Sequence, residues 1–451
     1  MLTLCCPEAG LVSATVYVVP AGNLATPEIE SSPEPRYFLA RCLLVAAFTG
    51  LAHGVWAQSL SFQQALDMAV ADTPTLRAYA AQVDAARHSV SPAGELPDPK
   101  LAVGVDNLPI QGQDRFSLTR EAMTMQRVTL MQDVPNSAKR EARIAIANGR
   151  VELAQAQERV ARITVLRETA SAWIARHALE RQLARLEALS AENALLANAI
   201  RAQLAGGKGL AADAIMPRQE AAMIAERRDE LTARHLQTIA NLRRWLGDAS
   251  GSPLAGDPPE WQLIRDDLAH GLSRHPDLAL FGPRTKVLEA ELLQTQAGKR
   301  PDWGVDLSYQ RRGPEYGDMV SVQLRFDLPI FSGSRQEPQI AAAQAELVAL
   351  DAQRENSLRE YRATLDSDWA DYERLRNALQ RQRQVLIPLA EEKVLLTTAA
   401  WRGGKGALAD VIAARRERID ADLRSIAIEG ERQQLAAKLH YTYGDFSGAE
   451  Q

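Results

Sequence analysis

Two hydrophobic periods alternate along this chain. From Ser137 to Ala205 there is no proline and one glycine, Gly149, while Leu179, Leu183, Leu186, Leu189, Leu196, Ile200 and Leu204 recur at three- and four-residue intervals. That spacing predicts one amphipathic helix, a rod of roughly 100 Å. A second long helix is predicted from Pro338, suited to a first turn, to Trp401, with Pro388 bending it. Shorter helices return at 212–247, carrying Ile239, Leu242 and Leu246, and at 408–443. The other period is two. Trp303, Val305, Leu307 and Tyr309 alternate with polar or small residues, as do Val320, Val322, Leu324, Phe326 and Leu328, and Leu101, Val103 and Val105. These read as strands. A fourth, 124–134, alternates less cleanly, as a bulged strand would.

The elements come in two sets. GGKGLAAD (206–213) returns as GGKGALAD (403–410), and LDMAVADTPTL (66–76), PDPKLAVGVD (97–106) and RVTLMQDVPNSAKR (127–140) have counterparts in LAHGLSRHPDL (268–278), PDWGVDLSYQ (301–310) and QLRFDLPIFSGSR (323–335). The order is kept and the offset stays near about 200 residues, which predicts two copies of one unit, 58–257 and 258–451, joined through GSPLAGDPPE (251–260). The octet is not a phosphate loop, because Lys208 and Lys405 are followed by glycine where a P-loop needs Ser or Thr. Each octet instead falls where a long helix must reverse. Gly206–Gly207 and Gly403–Gly404 provide the positive φ of a helix end, and Asp213 and Asp410 complement the dipole of the next helix.

Composition narrows the class. A net charge of −5 with interspersed signs carries no nucleic-acid footprint. Residues 36–58, RYFLARCLLVAAFTGLAHGVWAQ, combine Arg36 and Arg41, a short apolar run and a small-residue site, which predicts a signal peptide within a leader 1–57 cleaved after Ala57. Cys5, Cys6 and Cys42 all lie in that leader, so the remaining chain has no thiol for a disulfide or metal. No other stretch is apolar enough for a membrane helix, so any membrane insertion must be by strands. Apolar-out, polar-in alternation over about ten residues is the barrel pattern, but four strands cannot close one. Two copies give eight strands around a filled interior, and three give twelve around an open pore.

The two-copy plan, the paired strands ending at Pro135 and Pro329, and the glycine tips followed by Asp213 and Asp410 resemble the TolC-type outer membrane factors over residues 60 to 445. PDPKLAVGVDNLP and MTMQRVTLMQDVPNSAKR are most similar to the heavy-metal branch, the CusC and CzcC relatives. The resemblance implies a mainly α fold with a β-barrel portion: helical hairpins forming an α-helical barrel, and four strands per chain in a twelve-stranded trimeric barrel spanning outer membrane lipid. It implies a homotrimer that docks a periplasmic adaptor protein and an inner-membrane resistance–nodulation–division pump. It implies a passive duct that is not an enzyme and needs no cofactor. It implies a periplasmic gate at Asp213 and Asp410, although the second acidic position of a family gate is here Ala413. It also implies adaptor-docking tips at Gly207, Lys208, Gly209 and Leu210, and at Gly404, Lys405, Gly406 and Leu408, with Leu210 and Leu408 as the apolar grip.

Competing readings stand beside these. Asp213 and Asp410 serve equally as helix caps. Arg415, Arg416 and Arg418 could supply bonds to neighbouring hairpins, but read first as a solvated face. His88, His177, His235, His270, His275 and His440 lack paired ligand spacing. Met123, Met125 and Met131 share one strand parity and a chemistry suited to soft cations, though wall or loop packing explains them too, and no metal site is expected. Asp366, Asp368 and Asp371 do not share a helix face. The same duct could serve drug efflux or type I protein secretion, and a periplasmic coiled-coil protein is the alternative outside transport.

Overall fold

The computed structural model describes residues 59–207 and 210–444. The leader 1–57 with its cleavage site and cysteines, and Lys208 and Gly209 of the first tip, lie outside the described residues. In chain order the elements are β1 (Leu60–Ser61), α1 (Phe62–Asp72), α2 (Pro74–His88), α3 (Val90–Ala93), β2 (Lys100–Asp106), β3 (Met125–Val134), α4 (Ser137–Ala205), α5 (Met216–Leu246), β4 (Leu254–Ala255), α6 (Arg265–Gly271), α7 (Pro276–Ala279), α8 (Phe281–Ala297), β5 (Asp302–Arg311), β6 (Met319–Asp327), α9 (Gln336–Arg381), α10 (Ile387–Arg402) and α11 (Leu408–Tyr443).

The helix α4 runs unbroken for 69 residues, about 100 Å. Asn136 starts it, its side-chain oxygen accepting from the Lys139 N–H at 3.0 Å, which satisfies one of the orphan donors of a helix start. The predicted stripe is its buried side. Leu186 and Leu189 pack with Ile224 and Leu231 of α5 and Ile419 and Leu423 of α11. Nearer the tip, Leu196 and Ile200 pack with Leu408 and Ile412.

The second long helix is two. Pro388 would leave a carbonyl without its donor and clash with the preceding turn. The chain relieves this with a π turn, Gln382–Leu386, between α9 and α10, and the Gln382 side-chain amide reaches across to the Ala421 carbonyl at 2.8 Å. The expected bend is thus an inserted wider turn, of the kind found where something disturbs the ladder.

Halfway along α4, about 50 Å from its start, the chain builds its aromatic core. Trp173 is fully buried beside Phe62, Leu66, Val165, Leu242 and Tyr441. Its indole N–H donates to the Leu60 carbonyl at 3.2 Å, and Phe62 meets it edge-on at 5.4 Å. The buried Arg176 guanidinium donates to the carbonyls of Ser250 and Ser252 at 2.7 and 2.9 Å. Strand β1 pairs in parallel with β4. The first residues described and the segment 250–255 are therefore clamped to the same point on α4.

Helix α11 lies on α4 closely enough that a Cβ at Gly430 would fall 2.7 Å from the Ala178 Cβ. Gly430→Val should destabilise the helical body by about 1–3 kcal/mol through overpacking, read as earlier loss of the helical circular-dichroism signal on heating, while substitution of the exposed neighbour Glu431 by Ala leaves it unchanged.

Candidate functional site: an inverted sheet and two helical tips

Four strands form one antiparallel sheet in the order β2-β3-β5-β6. Residues directly opposed in such a ladder share a face. Leu101 opposes Leu130, and Val103 opposes Val128; Val128 opposes Tyr309, Leu130 opposes Leu307, and Val134 opposes Trp303; Trp303 opposes Phe326, Val305 opposes Leu324, and Leu307 opposes Val322. All of these make one apolar face, and it is exposed, with Val103 at 74% and Val322 at 68%. The other face is polar, and Thr129, Asp306 and Ser308 on it are buried. There the Thr129 and Ser308 hydroxyls lie 2.8 Å apart, Arg325 donates to Asp133 at 2.6 Å, and Arg127 pairs with Asp106 at 3.2 Å. Glycine at 304 leaves room for the Arg325 head, which a Cβ would meet at 2.9 Å.

The bulge expected in the strand 124–134 is absent. Its register with β2 and with β5 is continuous. The weak alternation arises because Gln126 and Gln132 occupy apolar-face positions. Strands β2 and β6 each have a neighbour on one side only.

A polar latch joins sheet to helices. The Asp302 carboxylate, at the start of β5, accepts from the Asn136 backbone N–H at 2.9 Å and its side-chain amide at 2.8 Å. Lys139, in the first turn of α4, donates to it as well. The sheet is thereby fixed to the helix start by charge-assisted bonds.

At the far end both glycine tips turn as expected, with φ of +70° at Gly207 and +69° at Gly404. In the second tip the Lys405 N–H donates to the Ala400 carbonyl and the Gly404 N–H to Trp401, at 2.8 and 3.0 Å, the paired closure of a Schellman motif. The Asp213 carboxylate accepts from the Leu210 N–H at 3.0 Å, and Asp410 from the Ala407 N–H at 3.4 Å. Both aspartates thus cap their own turns.

The apolar tip residues part company. Leu210 is 71% exposed, whereas Leu408 is 3% exposed and packs on Leu196, Ile200 and Ile412. Leu408 is therefore a core residue where the two hairpins meet, unlike the exposed apolar grip expected of it. The glycine octets are alike, but α11 begins at once at Leu408, while a 3₁₀ turn, Ala211–Ala214, intervenes before α5.

The arginine-rich stretch is also not a solvated face. Arg416 bonds Glu220 of α5 at 2.5 Å, and Arg418 bonds Glu192 of α4 at 2.7 Å. Farther up, Arg185 pairs with Asp422, and Glu429 is held between Arg181 at 2.8 Å and Arg383 at 2.5 Å. All of these bridges except Arg383–Glu429, which lies within the second hairpin, tie the second hairpin to the first. Burial would raise the Glu429 carboxyl, but its bonds to Arg383 and Arg181 outweigh that and hold it below its ordinary value.

The remaining candidates do not converge. Met125 and Met131 lie on the polar face six residues apart, about 20 Å along β3, and Met123 is in the preceding loop, 61% exposed. His275 is buried and stacked on Tyr361 at 3.8 Å, His177 on Trp173 at 5.3 Å, and His235 bonds Glu180 at 3.1 Å. Asp366 pairs with Arg265, Asp368 with Lys438 and Asp371 with Arg374. Among the described residues no three His, Cys, Asp or Glu side chains are grouped to hold a cation.

Residues 269–444 match the family described as outer membrane efflux protein. No curated protein matches the chain. Solved structures of low identity share its fold. A membrane protein from Pseudomonas aeruginosa superposes with a TM-score of 0.73 at 18% identity, over 85% of this chain and 90% of the other. The outer membrane protein VceC from Vibrio cholerae gives 0.68 at 17%, over 85% and 96%. CusC, described in terms of transmembrane channel formation, gives 0.70 at 13%, over 86% and 92%. The fold is one that this chain shares with solved outer membrane proteins.

The depressed Glu429 carboxyl contributes stability that is present above its ordinary value of 4.5 and lost as pH falls through the lower folded value. Glu429→Gln should lower stability at neutral pH by about 1–3 kcal/mol, and the gap to the parent should close as the pH is taken below 4.5. Paired denaturation curves at pH 7 and in acid check both halves.

Proposed function

We propose that three copies of this chain close one twelve-stranded barrel in the outer membrane, with the helices continuing the pore into the periplasm as a passive exit duct for efflux. One observation carries the reading: the sheet presents its apolar face outwards, buries polar residues on the other, and ends in two unpaired edges. In water the exposed face has no cover, and in lipid the free edges have no hydrogen-bond partners. Joining copies edge to edge resolves both. Exposed apolar residues on the helices, among them Leu195, Val348, Leu395 and Leu396, are what a ring of neighbouring hairpins would cover. Placement in the outer membrane with a periplasmic extension accords with the outer membrane proteins that share the fold.

The pump is read as a resistance–nodulation–division transporter joined through a periplasmic adaptor, and the cargo as heavy-metal cations. Residues 58–257 and 258–451 are read as two copies of one unit. The docking surface on this reading is the exposed part of the tips: Gly207 and Leu210 in the first, Gly404, Lys405 and the half-buried Gly406 in the second, with the adjoining Lys208 and Gly209. Asp213 and Asp410 face the narrow end as gate residues while keeping their capping bonds.

A deletion strain should lose resistance to at least one of the Cu, Ag, Zn, Co or Cd salts. A strain that instead becomes sensitive to organic drugs alone, or fails to secrete a protein, would move the cargo and leave the duct. Recovery of the protein in the soluble fraction without detergent would overturn the duct itself. Leu210→Asp should abolish resistance while detergent-extracted trimers persist. Leu408→Asp should instead destabilise the hairpin junction, because it buries an unpaired charge; thermal melts separate the two.

A further inference from the structure

The direction of each strand fixes how a second copy could be added. The sheet alternates throughout, so β6 descends toward the helices and β2 rises from them. A second copy that offers its free β2 to the free β6 therefore pairs antiparallel, like every other neighbour in the sheet. This inference rests on the closed-barrel reading above. In that arrangement the segment leading into β2 of the second copy, Glu95–Pro99, arrives level with the exit of β6 and the start of α9 in the first.

The two surfaces brought together are complementary. Glu95 and Asp98 are exposed, and neither has an ion-pair partner among the described residues. Their segment is held rigidly on its own copy. The Gln132 amide donates to the Pro97 carbonyl at 2.8 Å, and Gly94 lies so near α4 that a Cβ would meet Ile144 at 2.8 Å. Opposite them, α4, α8 and α9 enclose a cleft of about 790 Å³ lined by Lys139, Arg143, Arg300 and Arg335 against Asp302 and Asp327. Asp302 already engages Lys139; the three arginines have no carboxylate partner among the described residues. Gln336, 9% exposed, lines the same cleft with its side-chain oxygen buried and without a donor. Beside the cleft Leu328, Ile330 and Phe331 are exposed, and the incoming segment carries Leu96, also exposed.

We infer that the cationic cleft at the exit of β6 receives the acidic lead-in of β2 from a neighbouring copy, and that this contact sets the register in which the barrel closes. A ladder of backbone hydrogen bonds cannot do so alone. A slip of one residue turns the apolar face inwards and is excluded by lipid, but a slip of two preserves both faces. Arg300 and Arg335 against Glu95 and Asp98 distinguish the two-residue slips, because misaligned charges lose their partners on desolvation.

Residues 58–451 contain no cysteine, so engineered thiols give an unambiguous readout. In the full chain with Cys5, Cys6 and Cys42 replaced by Ser, expressed in membranes, Asp98→Cys combined with Arg335→Cys should yield oxidised dimers and trimers on a non-reducing gel, and neither single variant should. Arg300→Glu with Arg335→Glu should reduce the trimer recovered in detergent by about tenfold, and adding Glu95→Arg and Asp98→Arg should restore it. Absence of cross-linked species from a protein that sediments as a trimer overturns the inference and leaves the barrel reading standing. So does a charge-reversed protein that assembles as well as its parent, and loss of inorganic phosphate binding in that protein would then assign the cleft to a small anion. A protein that is monomeric in every detergent removes the inference and the barrel reading together.

Discussion

A sheet whose apolar face is exposed while polar residues at the centre of its other face are buried reverses the arrangement by which soluble domains fold, and the rest of this structure depends on that reversal. Its polar face is largely bonded within the sheet, although the buried Asp306 Oδ1 has no hydrogen-bond donor and only the Arg325 guanidinium 3.6 Å away. Thr129 meets Ser308, and Arg325 meets Asp133 across Gly304. What is unsatisfied is the apolar face and the two edges, and they call for different partners. Hydrocarbon suits the face, whereas only another strand suits an edge. The family match over residues 269–444 and the fold shared with outer membrane channels agree with a surface of this kind.

The helices extend the same logic away from the sheet. A helix of about 100 Å has no compact core around it, so its position must be fixed at intervals. Here the sheet end is held by Asp302 on Asn136 and Lys139. The middle is held by Trp173 and Arg176, which grip β1 and the segment at Ser250 and Ser252. The tip end is held by Leu408 in a pocket of Leu196, Ile200 and Ile412. Between these clamps the seam is narrow and carries small residues, as at Gly430 against Ala178. Charged side chains reach over it, and Glu429, Glu220 and Glu192 each take an arginine from another helix. Such half-buried bridges fix which helices are neighbours more than they add stability.

Much of this was legible in the sequence, because period and helix-end chemistry are local properties. The leucine stripe of α4, the alternation of β5 and β6, and the glycines at positive φ each follow from residues within a few positions of one another. A four-strand sheet too small to close was also readable from strand count alone. What the tertiary structure decided depends on which distant segment lies opposite. Leu210 and Leu408 occupy almost the same place in two matching octets, yet one is exposed and the other buried, because only the second has α4 above it. Arg416 and Arg418 have the spacing of a solvated face, and acquire partners only when α11 is laid against α4 and α5. Pro388 announced a disturbance, but the π turn that absorbs it is a backbone solution shared with Gln382 and the facing helix. Gln126 and Gln132 blurred the alternation of β3, and only pairing with strands on both sides established that its register runs through without a bulge. Local chemistry thus determined the elements and their ends, while burial and charge partnership, being properties of pairs far apart in the chain, were settled by the packing.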